Sequence, residues 1–415
     1  ALIALHCQGF LPKRSQIFGF ARSQLSDGDF RARIMENLTC RYTPGESCAQ
    51  LMDEFLGTCS YVSGSYESRD SFLDLYQRMR EAEDGEGTNR FYYLAIPPSV
   101  FLDVAHAIGD AGLVSCGPSE PWSRVVIEKP FGRDRTSSDQ LTCGLARVFA
   151  EDQTFRIDHY LGKEVIQNLL VLRFANAVFE PLWNCRFIRK IEIVWKEDIG
   201  LEGRGGYFDQ YGIVRDVIQN HLMQILALVA MEPPSRLESR DIAAEKAKVL
   251  RSVPPLQLDD LVLGQYRESV RNGRRFPAYV EDPGVPDTSN TPTFAATQLR
   301  VDTPRWEGVP FFVSAGKGVD ARMTEIRIHF QDVPSNMFCS PRGCPDANQL
   351  IIRVQPDEAI YLSLANKVPG MGMKVTTRNL DLQYKEAFSE LIPDAYESLL
   401  LDVIEGDRSL FIRND

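Results

Sequence analysis

The sequence predicts two domains of different class: a Rossmann-like, doubly wound parallel α/β domain over residues 1–155, and an α+β domain over 156–415 whose large, mostly antiparallel sheet is covered by helices. Three observations predict this. Short β-rich runs alternate with helical stretches in the first third, as in a parallel sheet with crossover helices. After residue 155 long helical segments are followed by runs that alternate apolar and polar residues, the mark of a one-sided antiparallel sheet. A chain of 415 residues, 44% hydrophobic, also exceeds what one core usually holds.

Taken in order, the chain opens on "ALIALHCQGFLP", which reads as the end of a helix. The strands "SQIFGFARS", "RFYYLAIPP" and "SRVVIEKPFG" follow, with helices "CAQLMDEFLGTCSYV" and "FLDVAHAIGDAGL" between them. In sheets of this kind ligands lie at the carboxyl ends of the strands, which places Arg22, Pro97 and the run Glu128 to Pro130 at a ligand edge. The usual Gly-x-Gly-x-x-Gly fingerprint is absent; the strand and glycine loop that would carry it are expected ahead of Ala1. In the second domain, helical segments over 158–180 and 207–231 flank the strand "KIEIVWKED". "TEIRIHFQDV", "NQLIIRVQPDEAIYLSL" and "KVTTRNLDLQYK" supply further strands, and "FPAYVEDPGVPDTSNTPTF" reads as a loop crossing the surface.

Composition removes several function classes. Net charge is −11 with basic residues scattered along the chain, so a nucleic-acid surface is not expected. No apolar run approaches the roughly 18 residues of a membrane span. The nine cysteines form no Cys-x-x-Cys, and a histidine adjoins only Cys7, as His6, so no metal site is expected and a reduced, cytoplasmic setting is. Cys339 and Cys344, which bracket "SPRG", read as a surface turn rather than a bridge.

Three constellations carry chemistry. In "RIDHYLGKEVIQNLLVLRF" the polar residues Asp158, His159, Tyr160 and Lys163 crowd the start of an amphipathic helix, where unpaired N–H groups favour an anion; His159 and Lys163, four apart, would share a face toward a phosphate. In "GRGGYFDQYGIVRDVIQNHLMQILALVAM", Asp216 and Asn220 share a face at i, i+4 spacing and His221 points elsewhere, just before a tail apolar on most sides. His221 could be a general base held by a carboxylate, with Asp158 as a candidate, or a core imidazole. In "VVIEKPFGRD", Lys129 stands at a strand end before Pro130, a candidate cis bond.

These residues, with "EKPFG" and "DAYESLLLDVIEGD", resemble the glucose-6-phosphate dehydrogenase family over nearly the whole chain. The resemblance implies oxidation of glucose 6-phosphate at C1 to 6-phosphogluconolactone with hydride transfer to NADP, the first step of the oxidative pentose phosphate pathway. It implies His221 as the base and Asp158 as its orienting carboxylate. It implies His159, Tyr160 and Lys163 as the phosphate clamp, and Glu197 and Asp216 as groups that hold sugar hydroxyls. Lys129 would lie between substrate and cofactor, with Lys317, Arg322 and Gln355 on the substrate side. Arg22 would meet the 2′-phosphate of NADP, with Pro97 and Glu128 beside the cofactor. A homodimer or homotetramer through the large sheet domain is also expected. The nearest rival is a sugar dehydrogenase of the glucose-fructose oxidoreductase group, which lacks "RIDHYLGKE".

Overall fold

The computed structural model describes residues 1–39, 41–42, 46–83, 87–115, 121–271, 273–339, 343–389 and 391–415, and the chain divides into two compact units, Ala1–Gly162 with Leu391–Asp415, and Lys163–Glu390. The sequence-based boundary put 391–415 in the second domain; in the structure this stretch returns to the first unit.

Among its described residues the first unit carries five parallel strands in two pieces. β1 (Ile17–Ala21) pairs with β2 (Cys59–Ser63), and β3 (Arg90–Leu94), β4 (Ser123–Ile127) and β5 (Thr154–Arg156) pair in sequence order. "CSYVS" is therefore strand and not the end of the preceding helix, which stops at Gly57. Its β-branched and aromatic residues suit a pleated surface better than a helix. The main core of this unit joins Phe101, Val104 and Ile108, from the helix Phe101–Asp110, to Val125 and Ile127 of β4. Burial of such side chains contributes about 1.5–3 kcal/mol each.

The returning segment is fastened by specific groups. The helix Ala395–Glu405 starts on a capping box between Asp394 and Glu397 and ends on Gly406 at φ 87°. Arg124 of β4 donates to the carbonyls of Val403 and Ile404 at 2.6 and 2.8 Å, satisfying the helix's last acceptors. Phe411 meets Phe155 edge-on at 4.9 Å.

One carboxyl in this helix opposes folding at neutral pH. Burial, followed by the charges of Asp407 and Glu405, pushes Asp402 up to about 7. The folded form thus holds a proton that the unfolded chain releases near pH 4, so stability falls as pH rises from about 4 to about 7. Asp402→Asn should raise stability by about 1–2 kcal/mol at about pH 8, a figure discounted for partial exposure, and by less at about pH 5. Thermal melts at both pH values check this; an equal or absent gain refutes it.

The second unit is built on an eight-stranded sheet in the order β15-β14-β13-β12-β6-β11-β10-β7. The strands are β6 (Ile188–Lys196), β7 (Leu261–Gly264), β10 (Phe294–Leu299), β11 (Phe311–Gly316), β12 (Met323–Phe330), β13 (Gln349–Gln355), β14 (Ala359–Lys367) and β15 (Val375–Gln383), with a separate hairpin of β8 (Ser269–Arg271) and β9 (Arg274–Phe276). All pairs in the large sheet are antiparallel except β6 with β11. Two helices cross-brace beneath it. Arg173, fully buried in the helix Glu164–Phe174, donates to the carbonyls of Leu228 and Met231 at 2.8 Å, and the indoles of Trp183 and Trp306 donate to Val229 and Ala230 at 2.8 Å. Four carbonyls at the end of the helix Met223–Ala230 are thus satisfied by side chains, which lets that helix stop inside the core.

Cys339 and Cys344 form a disulfide across Cα atoms 4.1 Å apart, contrary to the expectation of an unbridged turn, and Cys48 is also disulfide-bonded. The expectation rested on the rarity of bridges in reducing compartments; the short Cα separation is what permits one here.

Candidate active site

In the first unit the expected ligand residues do fall at strand ends. Arg22 follows β1, with its guanidinium 5.7 Å from the centre of the Tyr66 ring. Pro97 precedes the short turn Pro98–Val100 after β3. Glu128 and Lys129 follow β4, and the Lys129–Pro130 bond is cis, as its position suggested.

Glu128 is the hub of a tyrosine pair that sequence reasoning did not assign. It accepts from the Tyr93 hydroxyl and from Tyr396; burial first and then this carboxylate raise both phenols above the ordinary tyrosine range, so both remain donors. The Tyr396 ring lies parallel to His159, with centroids 6.1 Å apart and 6° between planes. Tyr396 belongs to "DAYESLLLDVIEGD", a stretch whose family likeness was visible but whose place beside His159 needed the fold.

The segment 158–163 is a turn, and the helix begins at Glu164. This corrects the expectation that Asp158 to Lys163 form its first turns with His159 and Lys163 on one face. Asp158, 2% exposed, accepts from the Tyr160 amide at 2.9 Å, a local turn bond in place of a helix cap. Asp next to an apolar periodic run mimics a cap signal, which is why the sequence misled. Tyr160 is buried and meets His159 edge-on at 5.0 Å. Gly162 is required by packing: a Cβ there would lie 2.6 Å from the Ala395 carbonyl oxygen.

In the second unit Lys163 occupies the N-cap position of the helix Glu164–Phe174, at the positive end of its dipole. Near it lies Glu358, whose carboxyl burial raises and the Lys163 charge pulls back. Glu358 was not singled out by sequence.

The stretch that carries His221 departs furthest from expectation. The helix Gly205–Ile213 breaks at Gly212, φ 66° and ψ 168°, and is followed by a π-helix over Val214–Leu222. The Met223 amide reaches back to the Ile218 carbonyl, five residues earlier. With i→i+5 bonds, residues four and five apart lie on one face. Asp216, Asn220 and His221 therefore share a face, which corrects the expectation that His221 points elsewhere. His221 is 2% exposed, whereas Asp216 and Asn220 are half-buried. Tyr207 stands by Asp216; burial and then that carboxylate raise its phenol.

The remaining residues gather at one end of the large sheet. Gly316 pairs with Lys196, Lys196 with Met323, and Thr324 with Gln355, so Glu197, Lys317, Arg322 and Gln355 emerge at the same edge. The Lys317 ammonium is 2.5 Å from Glu197 and lies over the Trp195 and Phe208 rings at 5.2 and 5.8 Å. An ion pair walled by aromatic faces holds the carboxylate in a fixed place. Each unit thus presents acceptors and cations suited to a polar, anionic ligand.

Comparison with known proteins agrees with this chemistry. Residues 1–168 match the glucose-6-phosphate dehydrogenase NAD-binding domain and residues 170–415 the glucose-6-phosphate dehydrogenase C-terminal domain. Glucose-6-phosphate 1-dehydrogenase 3, chloroplastic, of Arabidopsis thaliana is 50% identical over all of this chain and 69% of its own length. A solved structure of glucose-6-phosphate dehydrogenase in complex with its substrate glucose-6-phosphate superposes with TM-score 0.92 at 41% identity, covering 100% of this chain and 84% of that one. The Mycobacterium avium enzyme superposes at 0.83 with 35% identity, over 99% of this chain and 84% of that one.

The cytoplasmic expectation is overturned by the same comparison. Chloroplastic enzymes of Arabidopsis and Nicotiana tabacum are 50% identical, whereas a cytoplasmic Arabidopsis enzyme is 46% identical. Scattered cysteines do not separate plastid from cytoplasm. The matched domains imply an oxidoreductase with a nicotinamide cofactor. The chain belongs to the glucose-6-phosphate dehydrogenase family.

Proposed function

We propose that this chain oxidises glucose 6-phosphate at C1, passing hydride to NADP and giving 6-phosphogluconolactone, as the plastid form of the enzyme. The observation that carries this reading is His221, a buried imidazole on one π-helical face with Asp216 and Asn220. His221 takes the proton of the C1 hydroxyl as hydride leaves, and Asp158 is its orienting carboxylate. Asp216 and the Glu197–Lys317 pair bind sugar hydroxyls, with Arg322 and Gln355 at the same sheet edge. His159, Tyr160 and Lys163 take the 6-phosphate. Residues 1–155 hold the cofactor: Arg22 meets the 2′-phosphate, and Pro97, Glu128 and Lys129 line the nicotinamide side. NADP supplies the hydride acceptor when bound. Residues 156–390 supply the sugar site and the dimer or tetramer contact; the exposed Leu380 and Leu382 on the edge strand β15 support such a contact.

Substrate deuterated at C1 tests the reaction. Deuterium must appear in the reduced nicotinamide with a slowed rate; its appearance in water instead would refute hydride transfer from C1. Cofactor choice is tested separately. Arg22→Ala should weaken NADP roughly ten- to a hundred-fold and NAD by less than about threefold, since only NADP offers a 2′-phosphate for a charge-assisted bond. Equal losses in KM for the two cofactors would remove Arg22 from that role.

A further inference from the structure

The loop read as a surface crossing has a buried inner side that reaches toward both sugar-side groups. Its residues Ser289 to Thr293 form a strap. Asp209, in the helix Gly205–Ile213, accepts from the Tyr279 hydroxyl at 2.8 Å and from the Ser289 hydroxyl, and its own carbonyl accepts from Thr291 at 2.9 Å. Gln265 donates to the carbonyls of Ser289 and Thr291 at 2.9 and 3.1 Å. Thr293 at the end of the strap, and Tyr279 that meets Asp209, are fully buried, while Asn290 is exposed.

From there the strap touches two places. The Pro292 carbonyl accepts from the Ile213 amide at 3.0 Å, and a Cβ on Gly212 would lie 3.2 Å from the Thr291 methyl group. The strap thus fits against the left-handed kink at which the ordinary helix gives way to the π-helix. One residue further, the Thr293 carbonyl accepts from the Lys317 amide at 2.9 Å. One strap therefore borders both the turn that carries Asp216 and His221 and the lysine that pairs with Glu197.

We propose that Asp209 is a positioning residue whose carboxylate fixes this strap, so that the Gly212 kink and the register of the π-helix, with Asp216, Asn220 and His221 on one face, are set before substrate arrives. A π-helix is a costly departure from α geometry and persists where surrounding contacts enforce it. A slip of one residue would turn His221 away from Asp216. The proposal rests on the roles given above to His221 and Asp216.

The test compares Asp209→Ala, Asp209→Asn and Ser289→Ala with wild type in the full-length protein. Asp209→Ala should lower kcat for glucose 6-phosphate roughly ten- to a hundred-fold, the scale of a misplaced catalytic group, and should shift the pH profile of kcat/KM while KM for NADP stays within about twofold. Asp209→Asn keeps an acceptor oxygen and should recover kcat to within about threefold of wild type. Ser289→Ala, a milder change that keeps the fold, should lower kcat roughly fivefold. Hydrogen exchange reads the π-helix whatever the reaction: Asp209→Ala and Ser289→Ala should exchange faster over 212–222 than wild type. Unchanged exchange there, or unchanged kcat in both Asp209→Ala and Ser289→Ala, overturns the proposal; if Asp209→Ala does not fold, Ser289→Ala alone decides. Wild type inactive on glucose 6-phosphate would overturn the assigned reaction instead, leaving the exchange result to judge the strap.

Discussion

His221→Asn should lower kcat by ~10²-fold or more while KM for glucose 6-phosphate changes only a few-fold, because loss of a general base removes stabilisation made in the transition state and not in the ground state. Asparagine keeps a similar size and a hydrogen-bonding side chain, so the 2%-exposed site is neither emptied nor left without polar partners. The fold should survive, and its thermal midpoint provides the control. Steady-state kinetics on folded variant decide the matter. Near-normal turnover would mean that another group takes the proton, and the π-helix would then need a different explanation.

Lys163→Ala should raise KM for glucose 6-phosphate about ten- to a hundred-fold and leave the slow oxidation of glucose itself nearly untouched. A charge-assisted bond from an ammonium to a phosphate is worth roughly 1.5–3 kcal/mol, and uncharged glucose offers nothing for it. The position reinforces the claim: Lys163 stands at the N-cap of an eleven-residue helix, where dipole and unpaired amides already favour an anion. Glu358 lies close enough to feel its charge, so removal of the ammonium also leaves that half-buried acid less readily ionised. Were Lys163 only a solvated helix lysine, the change would cost a few tenths of a kcal/mol and leave kinetics alone. Measuring kcat/KM on both sugars in phosphate-free buffer separates these outcomes.

What the sequence showed and what it hid divide along a physical line. Alternation of strand and helix, and the period-two runs of the large sheet, are local patterns, and both domains were legible from them. Chemistry-bearing residues were legible as residue types at odd places, such as polar groups before an apolar helix tail. Backbone conformation at those places was not. Asp158 could cap a helix or close a turn, and its bond to the Tyr160 amide shows that it closes a turn. The π-helix follows a break at Gly212, whose positive φ favours glycine, and Asp209 just before it is bonded by Thr291 from some eighty positions away; no helical periodicity encodes either feature. The return of residues 391–415 to the first unit rests on bonds such as Arg124 to Val403, which join segments distant in sequence. Tyr396 beside His159 is a consequence of the same return.

Initial-rate oxidation by the purified full-length protein, with NADP and with either glucose 6-phosphate or glucose in the same buffer, decides whether the 6-phosphate is what this enzyme recognises. NADPH should form readily from glucose 6-phosphate, and kcat/KM for glucose should be lower by at least about a hundred-fold, the scale of the lost phosphate contacts. No NADPH from glucose 6-phosphate, or equal rates on the two sugars, would contradict that recognition.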